Sequence, residues 1–265
     1  DELDYGFKTS YEGQEEGTTF GGFVSGPISD TLGYRVAAEI QDINKFVEIA
    51  PGNPTAQPER GLENLITRVT FQWEPVDNFD ANLKINYNRQ RSDSLNSNLD
   101  IFCGGDGRPD PSVILGGALG GVPGFDLFEP THDCNLTDGK FVGPDGHPLL
   151  TSVPTGSPGE GRDIRLAYND TDTFFTRLEM NYALNESLNI TALVGYVDLD
   201  NEYNDTFNST GQLPDGSAAG LPAPFLNTLQ QTTFELRLAS NNDGAFNYQV
   251  GAFWEDRDIG HKTSQ

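Results

Sequence analysis

The stretch Leu65-Ile66-Thr67-Arg68-Val69-Thr70-Phe71-Gln72-Trp73 decides the fold class. Leu65, Thr67, Val69, Phe71 and Trp73 fall at alternate positions, with Ile66, Arg68, Thr70 and Gln72 between them. A helix would scatter these two sets around its circumference, whereas a strand sends them to opposite faces, one apolar and one mostly polar. After Glu74-Pro75-Val76-Asp77-Asn78 the alternation resumes, with Leu83, Ile85 and Tyr87 opposed by Asn82, Lys84, Asn86 and Asn88. Two alternating runs joined by a turn-rich link predict a β-hairpin.

The same pattern recurs along the chain. Thr176, Leu178, Met180 and Tyr182 alternate with Phe175, Arg177, Glu179 and Asn181, and after Asn185-Glu186 the next run carries Leu188, Ile190, Ala192, Val194 and Tyr196 on one face. A third copy sets Phe234, Leu236 and Leu238 against Glu235 and Arg237. It turns at Asn241-Asn242-Asp243-Gly244 and continues through Phe246, Tyr248, Val250, Ala252 and Trp254. Upstream, Phe20, Gly22 and Val24 lead through a Gly-Pro turn to Tyr34, Val36, Ala38 and Ile40, preceded by Tyr5, Phe7 and Tyr11. The pattern predicts an all-β chain of about nine antiparallel strands.

Between hairpins the sequence is polar and rich in Gly, Pro, Asn and Asp, over residues 41–63, 92–172 and 198–228. Loops of this length are uncommon inside compact soluble domains. Alternation of tight turns with long loops is the pattern of a transmembrane β-barrel, with turns near Pro75, Asn185 and Asp243 on the inner side and long loops outside. Trp73, Tyr87, Tyr196 and Trp254 stand near strand ends, where interfacial aromatic girdles belong.

Composition narrows the function. Among 265 residues, 40 acidic against 16 basic side chains give a net charge of -24, which excludes nucleic acid as a partner because phosphate binding needs clustered cations. No run approaches the roughly 18 apolar residues of a membrane helix, a test to which barrel strands are blind. Catalytic motifs are missing: there is no GxSxG, P-loop or HExxH, so the expectation is a protein that is not an enzyme.

Several residues nonetheless stand out. Cys103 and Cys134 bracket a loop containing Val113, Ile114, Leu115, Phe125, Leu127 and Phe128, and a disulfide between them would staple it in an oxidising compartment. Asp198, Asp200, Glu202 and Asp205 supply hard oxygen ligands suited to calcium, although their spacing is not that of an EF-hand, and a solvated loop stem is the plainer expectation. No other cofactor is implied. The polar strand positions Arg68, Lys84, Asn86, Arg177, Glu179, Glu235 and Arg237 are expected to line a barrel lumen.

Particular words add to periodicity. The run Gly22-Phe23-Val24-Ser25-Gly26-Pro27-Ile28-Ser29-Asp30-Thr31-Leu32-Gly33-Tyr34-Arg35-Val36-Ala37 resembles an early barrel hairpin of the proteobacterial TonB-dependent receptors. So does Val69-Thr70-Phe71-Gln72-Trp73-Glu74-Pro75 followed by Phe79-Asp80-Ala81-Asn82-Leu83-Lys84. The pair Phe234-Glu235-Leu236-Arg237-Leu238-Ala239-Ser240 and Tyr248-Gln249-Val250-Gly251-Ala252-Phe253-Trp254 is similar to a later strand pair of that family.

The resemblance implies a 22-strand outer-membrane barrel filled by an amino-terminal plug, driven by a TonB-type energy-transducing protein and surrounded by lipid and lipopolysaccharide. It would take up a scarce solute such as a siderophore, vitamin or oligosaccharide. Residues 1–265 would then be one segment of that barrel, with the plug and remaining strands elsewhere in a longer polypeptide. A passive porin or structural barrel, and a secreted soluble β-sandwich binding module, are the alternatives.

Overall fold

The computed structural model describes residues 2–14, 16–49, 60–92, 140–141, 153, 155–162, 168–212, 218–244 and 246–263. These form one antiparallel sheet of consecutive strands: β1 (Asp4–Glu12), β2 (Gly17–Ser29), β3 (Leu32–Ile49), β4 (Arg60–Val76), β5 (Phe79–Ser92), β7 (Tyr168–Asn185), β8 (Leu188–Gln212), β9 (Ala218–Ser240) and β10 (Gln249–Thr263). A two-residue strand, β6 (Lys140–Phe141), pairs in parallel with the end of β3. Every neighbour on the main path is also the next long strand in sequence, which is the up-and-down order of a barrel wall.

At one end the turns are tight. Ser29 pairs with Leu32, Val76 with Phe79 and Asn185 with Leu188, leaving two residues in each turn. Adjacent turns are laced together: the amide of Glu74 donates to the Thr31 carbonyl (2.8 Å), Ala183 to Asn78 (2.8 Å) and Asn241 to Ser187 (2.8 Å).

Strand pairing places the two expected faces as the alternation dictates. Val36, Val69, Ile85, Thr176 and Tyr196 share one row of the apolar face, and Tyr34, Phe71, Leu83, Leu178, Val194, Phe234 and Trp254 share another. Few of these side chains are buried. Among the described residues the core is small, with Ile43, Ala81 and Tyr168 buried and Pro224 fully so, while Trp73, Leu236, Val250 and Trp254 stand 40% or more exposed. A sheet of this length with so small a core does not bury its own apolar face.

The apolar face ends at a boundary that shifts steadily from strand to strand. Its last apolar side chain before a charged or polar position is Ile40 on β3, Leu65 on β4, Tyr87 on β5, Phe174 on β7, Tyr196 on β8, Phe234 on β9 and Trp254 on β10. The next position on that face is Asp42, Glu63, Arg89, Asp172, Asp198, Thr232 and Asp256, respectively. Ile40 pairs with Leu65, but Trp254 lies opposite Phe234, which pairs with Val194, three rows nearer the tight turns. The boundary thus slips about six residues, or roughly 20 Å, while crossing roughly 29 Å of sheet at 3.3 Å per residue and 4.8 Å per strand. A level band on such a sheet requires strands tilted by about 35°, within the range of outer-membrane barrels. With that tilt, Leu65 to Trp73 spans a height of about 22 Å, close to the lipid-facing band of such barrels.

Three of the connections expected from sequence contain more strand than the alternation implied. β3 runs on through 41–49, β4 begins at Arg60, β7 begins at Tyr168, and β8 and β9 fill most of 198–228. Beyond the apolar band both faces meet polar surroundings, so the contrast between alternate residues fades while the backbone ladder continues unchanged. The segment between Cys103 and Cys134, with both cysteines, lies outside the described residues.

Candidate functional site

The polar face carries two kinds of surface. Towards the tight turns it is charged and internally paired: Arg68 Nε donates to Asn86 Oδ1 (2.7 Å), Asn82 Nδ2 to Gln72 Oε1 (2.6 Å) and Arg237 Nη2 to Glu235 Oε2 (2.7 Å). Arg177 pairs with Glu179, and Arg35 stacks over the Phe23 ring at 3.7 Å. Lys8 and Glu39 form an ion pair across the intervening β2, where Gly21 leaves the gap. A Cβ there would stand 3.2 Å from Lys8 Cε and 3.4 Å from Glu39 Oε2. Lys84 lies directly opposite Arg177 and makes no ion pair among the described residues. Thus all seven polar residues singled out from sequence share this face, together with Arg35.

Towards the long connections the same face changes character. One row of paired residues runs across all nine long strands as Ser10, Thr19, Gln41, Asn64, Gln90, Thr171, Asn201, Asn227 and His261. From β3 to β10 the next row is Ile43, Leu62, Ser92, Asn169, Tyr203, Phe225 and Thr263. In a chain where 21% of residues are charged, neither row holds a carboxylate, lysine or arginine. The neighbouring outer positions are the reverse, with Asp42, Glu63, Arg91, Asp170, Glu202, Leu226 and Lys262 in one row.

Half of the neutral row is knitted together. Asn201 Nδ2 donates to Asn169 Oδ1 (2.7 Å) and Thr171 Oγ1 (2.8 Å), Asn227 Nδ2 to Asn201 Oδ1 (3.3 Å), and His261 Nδ1 meets Asn227 Oδ1 at 2.6 Å. An amide oxygen can only accept, so Nδ1 is the donor in this contact. Tyr203 and Phe225 stack at 5.0 Å, and Phe225 and His261 at 5.7 Å, forming an aromatic wall beside the row. The side-chain amides of Gln41, Asn64 and Gln90 have no hydrogen-bond partner among the described residues, and Asn64 Oδ1 is both buried and unmatched.

The candidate calcium ligands lie on the outer face instead. Asp198, Asp200 and Glu202 alternate along one face of β8, and Asp200 and Glu202 stand opposite Asp172 and Asp170. Glu202 Oε1 accepts from the Tyr168 hydroxyl (2.8 Å) and from the Gly159 amide (2.9 Å), with Arg162 3.8 Å away. Arg162 also pairs with Asp170 and lies over the Tyr168 ring at 4.3 Å. Burial, then the hydrogen bond to Glu202, pushes the Tyr168 phenol above its ordinary range. Asp172 is engaged by Arg91 and by the Tyr87 hydroxyl (2.7 Å), and Asp198 accepts from Tyr196 (3.2 Å). The side chain of Asp205 lies outside the described residues. Among the described residues no group of three or more His, Cys, Asp or Glu side chains is arranged to hold a metal ion. What this cluster does is clamp residues 156–162 against β7 and β8.

Sequence reasoning missed the neutral row because four of its nine residues, Gln41, Thr171, Asn201 and Asn227, lie in stretches read as loop and the others stand near strand ends. The available signal was an uncharged Asn201 and Asn227 midway between large apolar residues at alternate positions, Leu199 and Tyr203 in one stretch and Phe225 and Leu229 in the other, with Asp200 and Glu202 turned to the opposite face of the first.

No protein-family model matches the chain, and no curated protein matches its sequence. Solved structures do match its fold. The ferric yersiniabactin uptake receptor FyuA from Yersinia pestis superposes at a TM-score of 0.56 with 15% identity, over 98% of this chain and 31% of that one. The outer-membrane ferripyoverdine receptor of Pseudomonas aeruginosa gives 0.60 at 11% identity, over 98% and 28%. FpvA of P. aeruginosa bound to heterologous pyoverdines gives 0.59 at 10% identity, with the same coverage. The chain therefore spans about three tenths of the length of these receptors, and its fold is that of a stretch of their β-barrel wall.

Proposed function

We propose that this chain is part of the barrel wall of an outer-membrane importer, in which a scarce solute binds from outside and force transmitted from the periplasm opens a path. The observation that carries it is the apolar boundary, whose steady slip from β3 to β10 matches a level band on strands tilted by about 35°. A soluble sandwich has no need of a band of constant height. The apolar face meets lipid and, at its outer edge, lipopolysaccharide, the tight turns face the periplasm, and the polar face lines the lumen. Residues 1–265 form a single barrel segment, completed by further strands of the same protein.

The charged half of the polar face supports a plug within that lumen. Like charges directly opposite on a sheet repel, so Lys84 beside Arg177 calls for an acceptor from another part of the protein. A plug offering carboxylate or carbonyl oxygens meets that need, and a TonB-type protein acting on the plug supplies the force. Among the structural neighbours, FyuA is a ferric yersiniabactin uptake receptor. The solute here belongs to the wider class of siderophores, vitamins and oligosaccharides.

The test is uptake by cells carrying the full-length protein, with and without collapse of the proton-motive force. Energy-dependent accumulation of a solute too large for general porins is the expected result. Accumulation that survives the uncoupler would identify a passive porin instead.

A further inference from the structure

We infer that the neutral row of the polar face is a binding strip for an uncharged oligosaccharide; this rests on the importer reading above and specifies its solute. The row chemistry is uniform across all nine long strands, from Ser10 to His261, and roughly 38 Å long at 4.8 Å per strand. Its groups are amides, hydroxyls and an imidazole, which donate and accept hydrogen bonds without demanding charge on the ligand. The unpartnered amides of Gln41 and Gln90 leave donors and acceptors for a ligand, and the imidazole of His261 lies at the far end of the row. Along one side Tyr203, Phe225 and His261 stack on one another, and their ring edges with the outer faces of the two end rings supply apolar surface for the C–H groups of a pyranose.

Two features separate an oligosaccharide from other solutes. The first is charge: an anionic ferric chelate would require cations, yet the strip has none, and the nearest outer row is dominated by carboxylates. The second is repetition. A compact ligand uses a small cluster of dissimilar groups, whereas a similar amide or hydroxyl at each strand spacing matches a chain of similar sugar units, each presenting hydroxyls at regular intervals.

The experiment is isothermal titration of the full-length protein in detergent with maltohexaose, cellohexaose and xylohexaose, beside a ferric tris-catecholate and a ferric tris-hydroxamate complex. At least one hexaose binds and neither ferric complex does. Gln41→Leu and Gln90→Leu each weaken that binding about two- to tenfold, the loss of one hydrogen bond. Phe225→Ala weakens it further, and Glu63→Gln, on the outer face beside Asn64, leaves it unchanged. Binding of a ferric complex, binding of no hexaose, or wild-type affinity in both glutamine variants would overturn the inference. The two glutamine variants keep the test decisive if Phe225→Ala does not fold. If a hexaose binds but its uptake ignores the uncoupler, the ligand assignment stands and energised import falls.

Discussion

Placing an arginine at Val69 tests which face of the sheet meets lipid. Val69 is four residues from both Leu65 and Trp73, the ends of the apolar run on β4, so it lies about 11 Å from either edge at the tilt derived above. Near the midplane of a bilayer an outward arginine on a barrel costs about 2–4 kcal/mol, falling to about 0–1 kcal/mol at the interfaces. Val69→Arg therefore shifts the folding equilibrium about 30- to 700-fold, whereas Leu65→Arg shifts it by less than about tenfold. Gln72→Arg, on the opposite face near Glu74 and Glu179, changes it little. The assay is denaturant-dependent folding of the full-length protein into phospholipid vesicles, followed by heat-modifiable migration on gels. Equal stability of Val69→Arg and wild type, or a larger loss for Gln72→Arg, would refute the assignment of faces.

Gly22→Val should destabilise the barrel by about 1–3 kcal/mol, because a Cβ there stands 2.9 Å from the Gly6 carbonyl oxygen and the backbone must shift. Thermal unfolding compared with Gly33→Val, where the nearest atom is 3.8 Å away, isolates that contact. A double-mutant cycle on Glu235 and Arg237 should give only a small coupling that shrinks further with salt, since both side chains are substantially solvated. Tyr168→Phe removes the hydroxyl from Glu202 and should speed proteolysis and hydrogen exchange within residues 156–162, with little effect on the strands. The raised phenol pKa favours the neutral ring in the folded state, so this clamp is fully present below the ordinary tyrosine value of about 10 and weakens only as pH rises through the higher folded value. Absorbance titration of wild type against Tyr168→Phe should show the missing phenol among the last to ionise.

Within the apolar band nearly everything about the sheet was legible. Trp73, Leu83, Leu178, Val194, Leu236 and Trp254 announce their face because the two sides of the strand meet different media, and a shift of one residue would invert every contrast. The tight turns were legible in position, although Asp77–Asn78 alone makes the turn where a five-residue link was expected. Above the band the contrast fades, and with it went Tyr168, the clamp on residues 156–162 and the whole neutral row. Asp198, Asp200 and Glu202 were found by type, but their partners Tyr168, Arg162 and Gly159 are distant in sequence. Pairing of β7 with β8 brings them together.

The most direct test of the barrel assignment is collisional accessibility of nitroxides on single cysteines in the full-length protein, reconstituted in lipid, with Cys103 and Cys134 replaced by serine. Labels at Val69, Ile85, Val194 and Leu236 should collide with oxygen dissolved in the bilayer and be shielded from a water-soluble nickel chelate. Labels at Thr70, Lys84, Gly195 and Arg237 should lose contact with lipid-dissolved oxygen, giving a period of two along each strand. Equal access of the nickel chelate to both sets of positions would contradict the account.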